Sequence, residues 1–288
     1  MKAPPAGEQG MVLVNVLLLV GLAAAVLAIM LSGDDAALQR ATRMAEAAQA
    51  GAIARAGELS GIAALRRDMV TAPESDDASE PWAKIGERGA PIEGGRFALA
   101  IGDATGTLDL NPLVRGDPLT RARLTALAAA LELPADTASR IATWLAATGP
   151  LADLAELAGS GIDGAVLAKL SPFCTALPAT QPINLNAAPE VLLGVLLGDP
   201  IAARALVARR ARAGHLGPQD LAAVRVRPPV GSGFTSNLFW VRARVSIGTT
   251  SQQLTSLVGR QIGVNRTPLV AAIARWRGSP PLQAPALS

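Results

Sequence analysis

Hydrophobic residues fill one unbroken segment near the start of the chain. Residues 11–31 contain a single polar side chain, Asn15, and no charged one. A helix of about 20 apolar residues can span the hydrocarbon core of a membrane. A cleaved secretory signal is the alternative. Its apolar region is shorter and precedes a small-residue cleavage site, and the Ala-rich residues 22–28 could contain such a site. The pattern predicts a transmembrane helix, and no basic residue follows it until Arg40, which favours an N terminus inside and the rest outside.

A helical pattern continues beyond this segment. Between residues 34 and 70, apolar side chains recur at intervals of three, four and seven, with charged residues between them. Gly51, Gly57 and Gly61 weaken the helix. We therefore expect one long helix that leaves the membrane and packs its amphipathic half on a domain.

Alternating apolar and polar positions predict strands on both sides of a helical block. Phe97, Leu99 and Ile101 predict an early strand, with residues 108–110 as a candidate hairpin partner. Three late strands are predicted at residues 239–247, 252–260 and 269–276. Short helices separated by Gly and Pro are predicted across residues 119–227. A sheet interrupted by a discrete helical insertion follows from this order.

The composition offers little for catalysis. Half of the 288 residues are hydrophobic, which is enough for a packed core. Cys174 is the single cysteine and His215 the single histidine, and the chain has no tyrosine. One cysteine forms neither an internal disulfide nor a thiolate zinc site. Because no nucleophile motif such as G-x-S-x-G accompanies His215, we do not expect an enzyme.

Charge is divided unevenly along the chain. Residues 201–288 carry twelve arginines against Asp220 alone, whereas residues 32–200 are acidic overall. Such a split suggests a polar partner or a self-complementary assembly. The candidate interaction residues lie in one predicted helix and are Arg204, Arg209, Arg210 and Arg212. A solvated helix end, favoured by the helix dipole, is the simpler interpretation of the last three.

The loop at residues 71–81 concentrates acidic side chains. Its acids are Glu74, Asp76, Asp77 and Glu80. Carboxylates of this kind can bind a cation, but a solvated turn is the simpler interpretation. Whether a cation site exists at Asp76, Asp77 and Glu80 is left open by the sequence.

The residues before the apolar segment form a short leader that ends in Gly10. A short hydrophilic leader, a glycine and an apolar helix beginning with Met resemble a type IV prepilin. The resemblance implies that prepilin peptidase cleaves between Gly10 and Met11 and that the new amino terminus at Met11 is methylated. Asn15 stands where most members of the family have a glutamate. The missing acid is typical of the K-type minor pseudopilin of type II secretion.

Further segments resemble the same subunit in order and spacing. They are Glu80-Pro81-Trp82, Leu108-Asp109-Leu110-Asn111, P-L-A-D-L-A-E-L at 150–157, I-N-L-N-A-A-P-E-V-L at 183–192 and S-N-L-F-W-V at 236–241. The resemblance implies an α+β fold in which a type IV pilin-like long N-terminal helix packs on an antiparallel sheet with a large all-α insertion domain. The expected divisions are a leader (1–10), a transmembrane or pseudopilus-core helix (11–31), a pilin-like helix with first strands (32–110), the insertion (111–230), closing strands (231–278) and a loose tail (279–288).

The resemblance also implies a function. A K-type minor pseudopilin forms the tip of the pseudopilus with I- and J-type minor pseudopilins and supports protein export across the outer membrane. The prepilin peptidase and the inner-membrane assembly platform are its other expected partners, and nucleic acid is not one. The implied location is the bacterial inner membrane, crossed once, with the bulk of the chain in the periplasm.

Some members of the family bind calcium, and the resemblance does not extend to that site. In those members an acidic loop follows a helix that carries Trp. In this chain Trp144 is followed by Leu145-Ala146-Ala147-Thr148-Gly149 and then directly by Pro150. Because calcium needs several oxygen ligands, we expect no cofactor.

A second resemblance, to helix-hairpin-helix DNA-uptake modules, covers residues 183–224. The four candidate arginines would then contact phosphates, which supply most non-specific affinity. Such hairpins present the backbone amides of a glycine turn to phosphate, whereas Gly198-Asp199-Pro200 places an acid there and removes an amide. A membrane-anchored DNA-binding or uptake protein is therefore the alternative to the pseudopilin.

Overall fold

The computed structural model describes residues 6–287, without the side chains of residues 6–11, 31–35 and 266. Its longest element is helix α1 (Ala6–Thr71), with 66 residues. At 1.5 Å per residue, this helix is about 100 Å long. Within the described residues, one stretch is apolar and long enough to cross a membrane, Val12–Met30, and none of it is buried.

The other elements follow α1 in a fixed order. The strands are β1 (Glu87–Ile92), β2 (Gly95–Asp103), β3 (Leu108–Asp109), β4 (Cys174–Thr175), β5 (Ile183–Asn184), β6 (Ser232–Gly233), β7 (Leu238–Ile247), β8 (Thr250–Ile262) and β9 (Pro268–Arg277). The helices are α2 (Pro118–Ala130), α3 (Thr137–Thr148), α4 (Gly164–Leu170), α5 (Glu190–Leu197), α6 (Pro200–Ala213) and α7 (Pro218–Ala223). Short 3₁₀ turns lie at Pro81–Ile85, Asn111–Arg115, Leu154–Ser160 and Val264–Arg266.

Five strands form one antiparallel sheet in the order β1-β2-β7-β8-β9. β2 and β7 pair along the whole of β2, from Gly95 opposite Ile247 to Asp103 opposite Phe239. The chain therefore leaves the sheet after Asp103 and returns beside the same point. This confirms the predicted α+β architecture, with a helical region between two sections of one sheet.

The second half of α1 packs on one face of this sheet and closes the first core. Its buried face is built mainly from small residues, which bring the helix axis close to the strands. A Cβ atom on Gly57 would lie 3.0 Å from Phe97 Cε2, and one on Gly61 would lie 2.9 Å from Val241 Cγ1. The glycines that weaken the helix in isolation thus permit its contact with β2 and β7.

The segment between β2 and β7 has a hydrophobic core of its own, to which α2, α3 and α5 contribute. Two small parallel pairs, β3 with β4 and β5 with β6, hold its loops together. The predicted hairpin between the early strand and residues 108–110 is wrong, because Leu108 pairs with Cys174. Leu108 and Leu110 are 2% and 0% exposed in the core of the insertion, and this burial draws the segment away from the sheet edge.

The terminal segment at 279–287 crosses the second face of the sheet, so it is not the loose tail predicted for residues 279–288. Trp240 and Trp276 lie on this face with ring centroids 5.5 Å apart, and Ala284 packs against them. Arg242 Nη1 donates to the Pro285 carbonyl over 2.7 Å. The segment is ordered because it covers aromatic surface that would otherwise face water.

Candidate functional site

The exposed start of α1 is the first candidate site. Asn15 is exposed on this helix, within Val12–Met30. The surroundings of Gly10 and the side chain of Met11 lie outside what the structure describes, so cleavage between these two residues stays a prediction. An exposed apolar helix of this length can be stabilised by lipid or by other apolar helices.

A buried polar cluster, which we call the junction, lies where the helical insertion meets the sheet. Asn184, at the end of β5, donates through Nδ2 to Asp103 Oδ2 over 2.6 Å and to Ser236 Oγ over 3.0 Å. Ser236 Oγ donates to the same Asp103 carboxylate, and Thr105 N donates to Asp103 Oδ1 over 2.6 Å. Asn184 also donates to the backbone oxygen of Asp76 over 2.9 Å. These bonds fix the insertion to both strands at which it begins and ends.

Arg260 continues the junction toward α1. Its guanidinium donates to Asp68 Oδ2 over 2.8 Å and also contacts Asp76 Oδ2. Its Nε donates to the Ser236 carbonyl over 2.7 Å, and the guanidinium carbon lies 4.7 Å from the centre of the Phe239 ring. One arginine on β8 thereby joins the end of α1, the loop after it and the start of β7.

The acids of the loop at 71–81 are mostly buried, so the solvated turn expected from the sequence is wrong for three of them. Asp76, Asp77 and Glu80 are 0%, 4% and 8% exposed, whereas Glu74 is exposed. Burial raises the pKa of Asp76 to about 7 against the opposing effect of Arg260. Burial also raises the pKa of Asp68 and of Glu80.

Asp68, Asp76 and Glu80 bring three carboxylates close enough to share one cation. Their candidate ligand atoms lie within 4.8 Å of one another. Arg260 already contacts two of these carboxylates, and Glu80 Oε2 accepts from Trp82 Nε1 over 2.6 Å. The arrangement therefore serves a structural role, with Arg260 as its fixed cation.

The I-N-L-N segment is part of this framework. Asn186 Oδ1 accepts from Leu216 N over 2.6 Å, and its Nδ2 donates to the Phe234 carbonyl over 3.3 Å. Asn186 N in turn donates to Asn184 Oδ1 over 2.9 Å. The two asparagines thus connect the loop before α7 to the junction, and their side chains are buried away from any external ligand.

The four candidate arginines separate into different environments. Arg210 Nη1 donates to the carbonyls of Leu185, Asn186 and Ala188 over 2.8–3.0 Å, and burial lowers its pKa. Arg209 Nε pairs with Asp220 over 2.9 Å. Arg204 is exposed and lies 3.4 Å from Glu190, and Arg212 is exposed. Arg210 therefore holds the fold, and the four do not form a single binding surface.

The α5–α6 hairpin has the turn of a helix-hairpin-helix but not its phosphate site. Gly198 adopts the left-handed conformation with φ +66°, as a tight turn requires. Asp199 Oδ1 then accepts from Ile201 N over 2.9 Å and Ala202 N over 3.0 Å. Because the amides at the start of α6 are occupied by a carboxylate, they cannot also bind a phosphate.

The chain was compared with known protein families, sequences and structures. No family model matches the chain. The sequence is 27% identical to type II secretion system protein K of Pseudomonas aeruginosa, over 88% of this chain and 89% of that protein. The chain resembles type II secretion system protein K. This confirms the family resemblance inferred from the sequence.

The fold comparison agrees. One chain of the crystal structure of the GspK-GspI-GspJ complex from enterotoxigenic Escherichia coli superposes with a TM-score of 0.64 and 22% sequence identity. The match covers 84% of this chain and 100% of that one. It shows that the helix, the antiparallel sheet and the helical region form a known fold.

Sequence reasoning missed the centre of the junction. The motifs E-P-W, I-N-L-N and S-N-L-F each supply residues to it, so their spacing marked the region. Nothing in the sequence pattern marked Arg260 or Asp68 as buried, because a charged residue in an alternating strand or an amphipathic helix normally faces water. Only the paired geometry of α1 and β8 shows that these two side chains meet.

Proposed function

We propose that this protein is a K-type minor pseudopilin of a bacterial type II secretion system. The similarity to type II secretion system protein K across nearly the full length of both chains carries this proposal. The GspK-GspI-GspJ complex of enterotoxigenic Escherichia coli, which has a chain of the same fold, supports I- and J-type minor pseudopilins as partners. The role is structural, in assembly, and the resemblance supplies no catalytic step.

The geometry supports a position at the tip of the filament. Glu46 lies near the β7–β8 turn, where its Oε2 accepts from Thr250 Oγ1 over 2.9 Å, whereas Asp68 lies at the junction. Because Asp68 lies at the junction, the rise of α1 from Met30 to Asp68 places the junction about 55 Å from the end of the apolar stretch. The helical insertion lies at the end of the molecule remote from the anchor, where its bulk opposes the addition of a further subunit above it.

The anchor completes the proposed mechanism. Residues 11–31 would cross the inner membrane once and leave the bulk of the chain in the periplasm, with the assembly platform as a further partner. Asn15 replaces the acid that would neutralise the terminal amine of a neighbouring subunit. A subunit without that acid suits the end of a filament, from which it would support export across the outer membrane.

Processing by a prepilin peptidase tests the proposed class directly. The full chain, expressed with the peptidase, is expected to yield a product that begins at N-methylated Met11, measured by intact mass and amino-terminal sequencing. Expression without the peptidase and a Gly10→Leu variant are the controls, and both should remain uncut. An uncut wild-type chain, or a cut within residues 22–28, would contradict the proposal.

A further inference from the structure

The sheet has an incomplete edge beside α1. β9 ends at Arg277, opposite Leu254, whereas β8 extends four residues further to Thr250. Gly278 has φ +86° and turns the chain toward the other face, with its N donating to the Gln253 carbonyl over 3.2 Å. On the side of β8 away from β7, no strand therefore lies beside its first residues in the part of the chain that the structure describes.

The gap is a groove of about 650 Å³ between α1 and the ends of β8 and β9. Its α1 wall is formed by small residues, which are Ala47, Ala48, Gly51 and Ala54. A Cβ atom on Gly51 would meet nothing within 4 Å, in contrast to the tight contacts at Gly57 and Gly61. A wall of small residues allows another helix to approach the backbone of α1 closely.

The groove is positively charged. Arg55, Arg275 and Arg277 line it together with one acid, Glu58. Glu58 Oε1 accepts from Arg275 Nε over 2.8 Å and from Ser256 Oγ over 2.6 Å, so its charge is already matched. Arg55 and Arg277 form no ion pair with the residues that the structure describes. Two arginines thus remain to contact an acidic partner.

The position along α1 indicates what kind of partner. Ala47 lies about 25 Å along the helix from Met30, the end of the apolar stretch. The exposed apolar surface of α1 continues between them through Leu38 and Met44, 68% and 74% exposed. A second helix that leaves the same membrane would run beside α1 along this surface and reach the groove at the same height.

We infer that this groove binds the N-terminal helix of a partner minor pseudopilin, with carboxylates of that helix facing Arg55 and Arg277. The inference rests on the proposed function and adds to it the surface and the chemistry of recognition. Small residues permit the approach of the helix, and the two arginines select its acidic face. Complementary charge across such a contact favours the correct partner and register.

The test uses the full chain co-expressed with the I- and J-type subunits of its own secretion system and purified in detergent. Arg55→Glu combined with Arg277→Glu should lower co-purification of the partner at least tenfold, and higher salt should weaken the wild-type complex. Gly51→Leu should do the same by filling the groove. Arg67→Glu and Ala52→Leu place matched changes at exposed positions of α1 outside the groove and should leave the complex unchanged.

A cysteine cross-link locates the partner. Ala48→Cys should cross-link to cysteines introduced along the acidic face of the partner helix, since Cys174 is buried and does not compete. If the wild-type complex forms but the charge reversal and Gly51→Leu leave it intact, the groove is not the interface and the proposed function stands. Cross-links between two copies of this chain alone would also overturn the inference. If the wild type binds neither partner, the proposed function fails as well.

Discussion

Single residues at the junction show why burial, more than sequence position, decides their role. Asp76 comes from a loop rich in acids and prolines, which normally faces solvent. Its partner Arg260 lies 184 residues later in the chain, and no local pattern connects the two. The pattern located the loop correctly, but the burial of its carboxylates depends on the tertiary contact of α1 with β8.

A pH titration tests the state of Asp76. Its pKa is raised to about 7 in the folded protein from 3.8. The folded state therefore binds the proton more tightly, and Asp76 contributes a loss of stability as pH rises from about 4 to 7. The Asp76→Asn variant should lack this decrease. Between pH 4 and pH 7 the free energy of unfolding of the wild type should therefore fall, relative to that of the variant, by on the order of 1–4 kcal/mol. Denaturant unfolding at several pH values measures it.

The control for that titration lies in the same loop. Glu74→Gln removes an exposed carboxylate and should retain the pH dependence of the wild type. If the free energy of unfolding changes between pH 4 and pH 7 by the same amount in the wild type and in Asp76→Asn, then Asp76 is ionised throughout this range and the prediction is wrong.

Among the elements, α1 and the late strands follow from sequence pattern and β1 does not. The long helix and β7 to β9 have regular apolar periodicity. β1 contains charged residues, glycine and proline, and it forms by pairing with β2 at the edge of the sheet. Gly57 and Gly61 show the same limit of sequence patterns. Helix propensity gives the cost of each glycine in α1, but it does not reveal that β2 and β7 approach the helix too closely for a larger residue.

Paired glycine substitutions separate these two effects. Gly51→Ala should stabilise the protein by about 0.5–1 kcal/mol, since it improves helix propensity in open space. Gly61→Ala gains the same propensity but forces a Cβ atom toward Val241, and overpacking costs about 1–3 kcal/mol. Gly61→Ala should therefore be the less stable variant in thermal or denaturant unfolding. Equal stability of the two would show that the helix can move away from the sheet without cost.

At the scale of the whole molecule, the terminal segment joins the two hydrophobic units. Leu282 N donates to Asp153 Oδ1 over 2.9 Å, and Leu154 N donates to Gln283 Oε1 over 3.1 Å. The same segment covers Trp240 and Trp276 on the sheet. A Pro-rich end gives no such indication in sequence, because its order depends on surfaces formed by distant strands and by the insertion.

Deletion of residues 279–288 should therefore destabilise the protein and expose its aromatic face. We expect a loss on the order of 1–3 kcal/mol from the uncovered apolar surface, with a red shift of tryptophan fluorescence. Deletion of residues 286–288 alone keeps Ala284 and Pro285 in place and should change the emission little. Unaltered emission after the longer deletion would mean that the two tryptophans are shielded without this segment.

The adjacency of Asp103 and Phe239 also constrains how the chain folds. Pairing β2 with β7 closes a very long loop, and the entropy lost on closure grows with the length of free chain. An insertion that has already folded around its own core shortens that free chain to the few residues flanking it. We therefore expect the sheet to be completed most readily after the insertion has formed.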